Sequence, residues 1–435
     1  MARKWTVTIA VLAILLGSSP GLRAQEAMTL QQFIDAAVKN SPAVQIAGES
    51  VAGAEFRIRE TKSQALPQLN LGSSYTRISL LSEFDIPGMG HFKFGTPNNL
   101  NFRLGVAEQV FTWGRIKSTV EMSRIGMDLA QGSVALTKQT LAYQVVPIFY
   151  GVLFTGEAVK VLDQTIVLLE KKLATLEERY RAGLASDFDI SLIKVQMSGL
   201  RSQKLDFENN VRKMMMAYNR FAGRPLESTF TPVGDFAFEP VVADAKALAE
   251  EAAANRIEAR LLGNQRDLVQ TQIALARSAN KPNVYAAFNY EFRNGFLPSV
   301  DRIKGNWSAT LSVSYPVFDG NRTSAQVAQA QVSLRTVEEQ ATDQLRGFEL
   351  EIDQTLADLK TLEQKIEIEK TKIDHAEKAL KIADERYQNG LLSTTDLVEA
   401  QDSVDSARLN YLQLVYNHVL GKFNLFKAAG RKISS

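Results

Sequence analysis

Two hydrophobic periods succeed one another along this chain, and the same succession occurs twice. Leu69, Leu71, Ser73 and Tyr75 alternate with Asn70, Gly72, Ser74 and Thr76, and Phe102, Leu104 and Val106 alternate with Asn101, Arg103, Gly105 and Ala107. The period returns where Ala286, Phe288, Tyr290 and Phe292 alternate with Tyr285, Ala287, Asn289 and Glu291. It returns again where Trp307, Ala309, Leu311, Val313 and Tyr315 alternate with Ser308, Thr310, Ser312 and Ser314. A period of two places each set on one face of a strand. One apolar face and one small polar face fit either a half-buried sheet or the wall of a membrane barrel. Aromatic residues near the strand ends (Tyr75, Phe102, Phe292, Trp307, Tyr315) favour the membrane. Strands are predicted at about 68–78, 100–111, 283–293 and 306–318.

The rest of the chain reads as helix. Thr29 caps a helix predicted over 29–66 and ended by Pro67, and its counterpart over 244–279 ends before Pro282. Asn40-Ser41-Pro42 and Asn255-Arg256-Ile257 hold equivalent places in the two. After each strand pair comes a much longer helix. Val159, Leu162, Ile166, Leu169, Leu173, Leu176 and Tyr180 follow spacings of three and four, a heptad seam. Ile366, Ile373, Ala376, Leu380, Ala383 and Tyr387 keep that register in the second copy, with Glu369 as the exception. Some 65 residues at 1.5 Å each make a rod of about 100 Å. Pro147 is expected to bend the first rod, because it lacks an amide donor and crowds the preceding turn. Gly183 and Gly390 stand where a helix C-terminus wants a left-handed residue, and Ser186 and Ser393 can cap a returning helix. Helical hairpins are thus predicted over 115–222 and 322–428.

The duplication is visible residue by residue. Glu178-Arg179-Tyr180-Arg181-Ala182-Gly183-Leu184-Ala185-Ser186-Asp187 returns as Glu385-Arg386-Tyr387-Gln388-Asn389-Gly390-Leu391-Leu392-Ser393-Thr394. The same offset carries Val110-Phe111 onto Val317-Phe318 and Arg115 onto Arg322. The chain divides into repeat 1 over 25–222, a Pro-, Gly- and Phe-containing linker over 223–243, repeat 2 over 244–428 and a tail over 429–435. The linker is too irregular for helix and has room for short strands.

Composition narrows the class. Arg3 and Lys4, the apolar run Val7–Leu16 and Leu22-Arg23-Ala24 read as a secretory signal over 1–24. The 435 residues contain no cysteine, which removes disulfides, thiol catalysis and a lipoprotein anchor. A net charge of +2 offers nothing to nucleic acid. After the leader no unbroken apolar run reaches 18 residues, so no membrane helix is expected. One chain has only four candidate membrane strands, and open strand edges in hydrocarbon leave amides without partners. Several chains must therefore share a barrel. Three copies give twelve strands and six hairpins, and the rods need neighbours for their seams.

Taken together, Leu30…Asn40-Ser41-Pro42…Leu66-Pro67, the paired Arg-Tyr-x-x-Gly-Leu turns and the Val-Phe before each long helix resemble the TolC-like outer-membrane efflux family. The resemblance covers nearly the whole mature chain. It implies a mainly α protein with a membrane β-barrel part: a homotrimer whose twelve-stranded barrel in the outer-membrane lipid continues as a periplasmic α-helical barrel. It also implies a periplasmic adaptor and an inner-membrane transporter as partners. The cargo is small molecules or, alternatively, polypeptides of type I secretion. A soluble periplasmic adaptor also combines long hairpins with β structure, but usually as one hairpin interrupting a lipoyl-like domain, whereas this chain has two hairpins and no such domain. A coiled-coil scaffold needs neither the four strands nor the signal.

No residue set suggests bond-making chemistry, a metal or a cofactor, and an enzyme is not expected. His91 reads as a loop residue, His375 and His418 as helical, Gly88 and Gly90 as loop glycines and Met214–Met216 as helix packing. By the resemblance, gating and ion selection belong to the second repeat's turn, at Tyr387, Asp396 and Glu399, with Asp189 as an acidic partner from the first. Three symmetry-related carboxylates on one axis would attract cations and raise one another's pKa. Asp189 and Asp396 also suit an ordinary helix N-terminus, whose dipole favours anions. Some family members carry an arginine where this chain has Leu392, so a hydrophobic or hydrogen-bonded closure is expected here. Gly183, Leu184, Gly390, Leu391 and Ser393 are the expected adaptor contacts.

Overall fold

Helices dominate, and four strands fall close to where the two-residue period placed them, the last ending at Ser314 rather than at 318. The computed structural model describes residues 26–88, 90–296 and 299–433; the signal expected over 1–24 lies outside the described residues. In chain order the elements are β1 (Glu26–Met28), α1 (Leu30–Asn40), α2 (Pro42–Ser63), β2 (Gln68–Arg77), β3 (Ser82–Ile86), β4 (Gly90–Phe94), β5 (Asn98–Phe111), α3 (Arg115–Arg181) and α4 (Asp187–Phe221). The second half adds β6 (Phe230–Pro232), α5 (Ala245–Asn255), α6 (Ile257–Ser278), β7 (Asn283–Arg293), β8 (Lys304–Ser314), α7 (Arg322–Gln388) and α8 (Thr394–Ala428). The long helices α3 and α7 have 67 residues each, and α4 and α8 have 35 each.

Three features correct the sequence reading. Each opening helix is two helices, broken at Ser41 (ψ 125°) and Arg256 (ψ 134°). Pro42 explains the first break, since a residue before proline is driven out of the α region. At the second, Arg256 is buried against the Phe348 ring, its guanidinium 4.0 Å from the centroid, and is paired with Glu258 at 2.9 Å. The loop between the first two predicted strands holds the β3–β4 hairpin, which places His91 in a strand opposite Asp85. Finally, α3 contains a stretch long and apolar enough to cross a membrane by length and composition, half of it buried inside the protein. Polar residues interrupt the stretch, so no unbroken apolar run marks it. Helix α3 continues through Pro147.

The described chain forms two compact units, each drawing on both repeats. One unit comprises the chain up to Val44, Lys138–Leu248 and Glu351 onward. Its core is aromatic at one end. Phe33 stacks on Tyr218 at 3.6 Å, Phe149 and Phe230 close around them, and the Tyr218 hydroxyl donates to the Phe33 carbonyl at 3.0 Å. The parallel β1–β6 pair ties the linker to the start of the chain. Met214 and Met215 pack against this core. Further along, Leu162, Ile166, Leu169 and Leu176 of α3 meet Ile190, Ile193, Met197 and Leu200 of α4. That is the seam that the heptad spacing indicated.

The other unit comprises Gln45–Thr137 and Ala249–Leu350 and holds an antiparallel sheet in the order β2-β5-β7-β8. Its register sorts the side chains by face. Leu71, Leu104, Tyr290 and Trp307 form one cross-strand row, and Leu69, Val106, Phe288 and Ala309 form the next. Asn70, Gly105, Asn289 and Ser308 lie on the opposite face, where Arg103 pairs with Glu291 at 2.6 Å. The apolar face is open: Leu71 is 82% exposed, Leu311 72% and Trp307 63%.

Candidate functional site

The sequence of each hairpin turn dictates its geometry, and the two turns are built alike. Gly183 and Gly390 adopt φ of 76° and 74°, which a side chain would oppose. At the first turn the amide of Gly183 bonds the Tyr180 carbonyl and that of Leu184 bonds the Arg179 carbonyl. At the second, Gly390 bonds Tyr387 and Leu391 bonds Arg386. This paired closure satisfies carbonyls that a helix end leaves without partners. Leu184 and Leu391 then stand out into solvent, 79% and 75% exposed.

The returning helices start with matched capping boxes. The Ser186 hydroxyl accepts from the Asp189 amide at 3.3 Å, and the Asp189 carboxylate accepts from the Ser186 amide at 3.1 Å and hydroxyl at 2.6 Å. Ser393 and Asp396 repeat the arrangement at 3.2, 3.4 and 2.6 Å. Both aspartates expected at the constriction therefore also close a helix end. Hydrogen bonding first from the Ser186 hydroxyl and then from Thr394 holds the Asp189 carboxyl below the usual aspartate value.

The structure brings some expected residues together and leaves others apart. Thr394 lies between the turns: its hydroxyl donates to the Tyr387 hydroxyl at 3.5 Å, and it helps to lower the Asp189 carboxyl. The Arg179 guanidinium sits 5.7 Å from the Tyr387 ring centroid, and Lys172 pairs with Asp384 at 3.1 Å. Tyr387, Asp189 and Thr394 thus form one connected patch. Asp396 is bonded within its own turn, and Glu399 is exposed one turn further along α8. Leu392 is partly buried at the tip.

Sequence reasoning missed a polar group farther up α8. Thr165 of α3, 4% exposed, donates to Asp405 at 2.8 Å; Gln401 donates to the same carboxylate at 3.1 Å, and Gln196 of α4 donates to Asp402. One signal could have found it: Leu397, Val398, Gln401, Val404 and Asp405 follow the three- and four-residue spacing of a buried stripe, with two polar members in it. His418, also fully buried, lies 3.3 Å from Glu363, which accepts the Val241 amide at 2.8 Å and so holds the linker on α7 and α8.

Comparison with known proteins gives a consistent answer. The family model for "Outer membrane efflux protein" matches residues 33–217 and 248–431. The outer membrane protein TolC of Escherichia coli is 22% identical over 442 residues, covering 97% of this chain and 86% of that protein. The toluene efflux pump outer membrane protein TtgC of Pseudomonas putida is 21% identical, covering 92% and 82%. Among solved structures, the outer membrane protein VceC of Vibrio cholerae superposes with a TM-score of 0.74 at 17% identity, covering 93% of this chain and 97% of that one.

Proposed function

Because the chain belongs to the outer membrane efflux protein family, we propose that three copies assemble into one duct. Their twelve long strands close a barrel in the outer-membrane lipid, and their helical hairpins continue it into the periplasm. The observation that carries this reading is the four-stranded sheet. Its apolar side chains form a continuous exposed face, and among the described residues β2 and β8 each pair on one side only. Contiguous exposed apolar patches beyond a few hundred Å² are rare in soluble monomers. In hydrocarbon an unpaired strand edge costs several kcal/mol per orphaned amide. Closure with neighbouring copies removes both penalties. The polar face, with Asn70, Asn289 and Ser308, then lines water.

The duct is passive. Energy comes from an inner-membrane transporter, joined through a periplasmic adaptor that touches the tips at Gly183, Leu184, Gly390, Leu391 and Ser393; the exposed leucines on rigid glycine turns suit such a contact. Gating and ion selection fall to Tyr387, Asp396, Glu399 and Asp189. With Leu392 at the tip, closure relies on Thr394 set between Tyr387 and Asp189 rather than on an arginine–carboxylate lock. The cargo is small molecules, supported by relatives that are named as toluene and antibiotic efflux components. Detergent extraction followed by mass measurement and planar-bilayer recording tests the proposal. A trimer with discrete conductance is expected; a strictly monomeric, non-conducting protein would overturn it.

A further inference from the structure

Helix α8 packs against neighbouring helices through a stripe that ought to be apolar throughout, because a buried polar atom without a partner costs about 1–3 kcal/mol. The stripe instead contains Gln401 and Asp405, 5% and 4% exposed. Thr165 Oγ1 and Gln401 Nε2 both donate to Asp405 Oδ1, at 2.8 and 3.1 Å. Asp405 Oδ2 and Gln401 Oε1 are buried and accept nothing. Three residues earlier on the same helix, Asp402 takes its bond from Gln196 of α4. The group is therefore rich in acceptors and short of hydrogens.

The surroundings bring positive charge near the group but no hydrogen bond from a cation to Asp405 Oδ2 or Gln401 Oε1. From α3 come Thr165 and Lys172, and Lys172 is paired with Asp384 of α7 at 3.1 Å. From α4 comes Gln196. Helix α7 contributes Glu377 and Lys381 to a cleft of about 390 Å³ beside Gln401, and Arg408 of α8 is held by Glu377 at 2.6 Å. Glu399 adds a further negative charge on α8. Burial, joined by the charge of Asp405 and then by that of Glu399, pushes the Asp402 carboxyl up against the lowering bond from Gln196. Burial likewise pushes Asp405 up, opposed by its bonds to Thr165 and Gln401 and by Arg408.

We propose that Asp402 and Asp405 form a proton-binding latch that joins α8 to α3 and α4 and tightens on acidification. A proton on Asp405 Oδ2 turns one orphaned acceptor into a donor and removes one of two carboxylate charges within a helical turn. Loss of that proton leaves two anions within one turn of α8, one of them buried, and the junction loosens. Both carboxyls lie above their unfolded value, so this contribution is fully present below that value and is lost as pH rises through the raised ones. The functional consequence rests on the duct reading: a duct that opens by parting these hairpins would open less readily in acid.

The test follows the thermal midpoint of the detergent-solubilised full chain from pH 8 to pH 5, beside Asp402→Asn/Asp405→Asn. The wild type should gain several degrees on acidification relative to the variant, whose side chains do not titrate. Thr165→Val keeps both carboxyls but removes a bond that favours the ionised form, so it should move the transition to higher pH; it serves also if the double variant does not fold. Identical pH profiles for all three proteins would overturn the latch. Recording single channels of the same samples separates the two readings: linkage in the melts without any conductance would sink the duct and leave the latch standing.

Discussion

Thr394 donates its hydroxyl to that of Tyr387 at 3.5 Å, and it also helps to hold down the carboxyl of Asp189 from the first repeat. Thr394 thus stands between the two turns, beside a residue of each. Asp189 also anchors the Ser186 cap. Ser186→Ala should therefore cost about 1 kcal/mol of thermal stability. Thr394→Val should weaken the link between turns and leave the cap intact. Asp189 has a lowered carboxyl pKa, so its contribution is present above the unfolded value and disappears as pH falls through the folded one. Asp189→Asn should remove that acid-side loss in melts recorded below about pH 4.

Glu369 fills in the second repeat the seam position that Leu162 fills in the first. Leu162 is fully buried, and Glu369 is 6% exposed with Lys372 at 3.0 Å. Lys372 itself is half in water, 53% exposed, so the pair brings a carboxylate inside for a solvent-screened partner. Replacing a buried ion by a well-packed apolar residue is often neutral or stabilising by about 1–4 kcal/mol. Glu369→Leu should accordingly hold or raise the melting temperature, whereas Lys372→Met should lower it by stranding the charge. A clear loss of stability in Glu369→Leu would assign the carboxylate a further partner in the assembly.

What the residues disclosed, and what they hid, follows from the range of each signal. Period two and the heptad spacing are local and strong, so the four sheet strands and both hairpins could be read from alternating residues such as Leu69 and Leu71 or from Leu162, Ile166 and Leu169. The turn chemistry was equally local: Gly183 with Ser186 and Gly390 with Ser393 act within six residues of one another. The break at Ser41 has a local cause in Pro42, whereas that at Arg256 showed only as a matched position, because Arg256 leaves the helix for contacts with Phe348 and Glu258 in three dimensions. The β3–β4 hairpin escaped because its five-residue strands are too short for a period to show. The polar members of the buried α8 stripe mark Gln401 and Asp405, but Thr165 and Gln196 come from two other helices, and no spacing along α8 names those partners.

The sheet makes a two-sided prediction. Leu311 lies on the open apolar face and Thr310 on the polar one. If the first face meets lipid, Leu311→Arg should cost about 2–4 kcal/mol when near the bilayer midplane. It should then reduce the yield of trimer in heated and unheated gel samples. Thr310→Arg, pointing into water, should leave trimer yield unchanged and alter conductance instead. Equal effects at the two positions would show that the faces are not distinguished by lipid.

Asp396 has two duties that one substitution cannot separate, so its test needs a paired control. Its carboxylate accepts from Ser393 at 2.6 Å and closes the start of α8, and in a threefold duct it would also stand with two symmetry copies around the axis. Ser393→Ala removes the cap but keeps the charge; Asp396→Asn removes the charge and keeps some capping ability, since asparagine retains an acceptor oxygen. If the ring selects ions, Asp396→Asn should reduce cation preference in bilayer recordings several-fold, and Asp396→Asn/Glu399→Gln should reduce it further. Ser393→Ala should lower stability by about 1 kcal/mol with selectivity intact. Unchanged selectivity in Asp396→Asn, with stability falling as in Ser393→Ala, would reduce Asp396 to a helix cap and move the ion filter elsewhere in the duct.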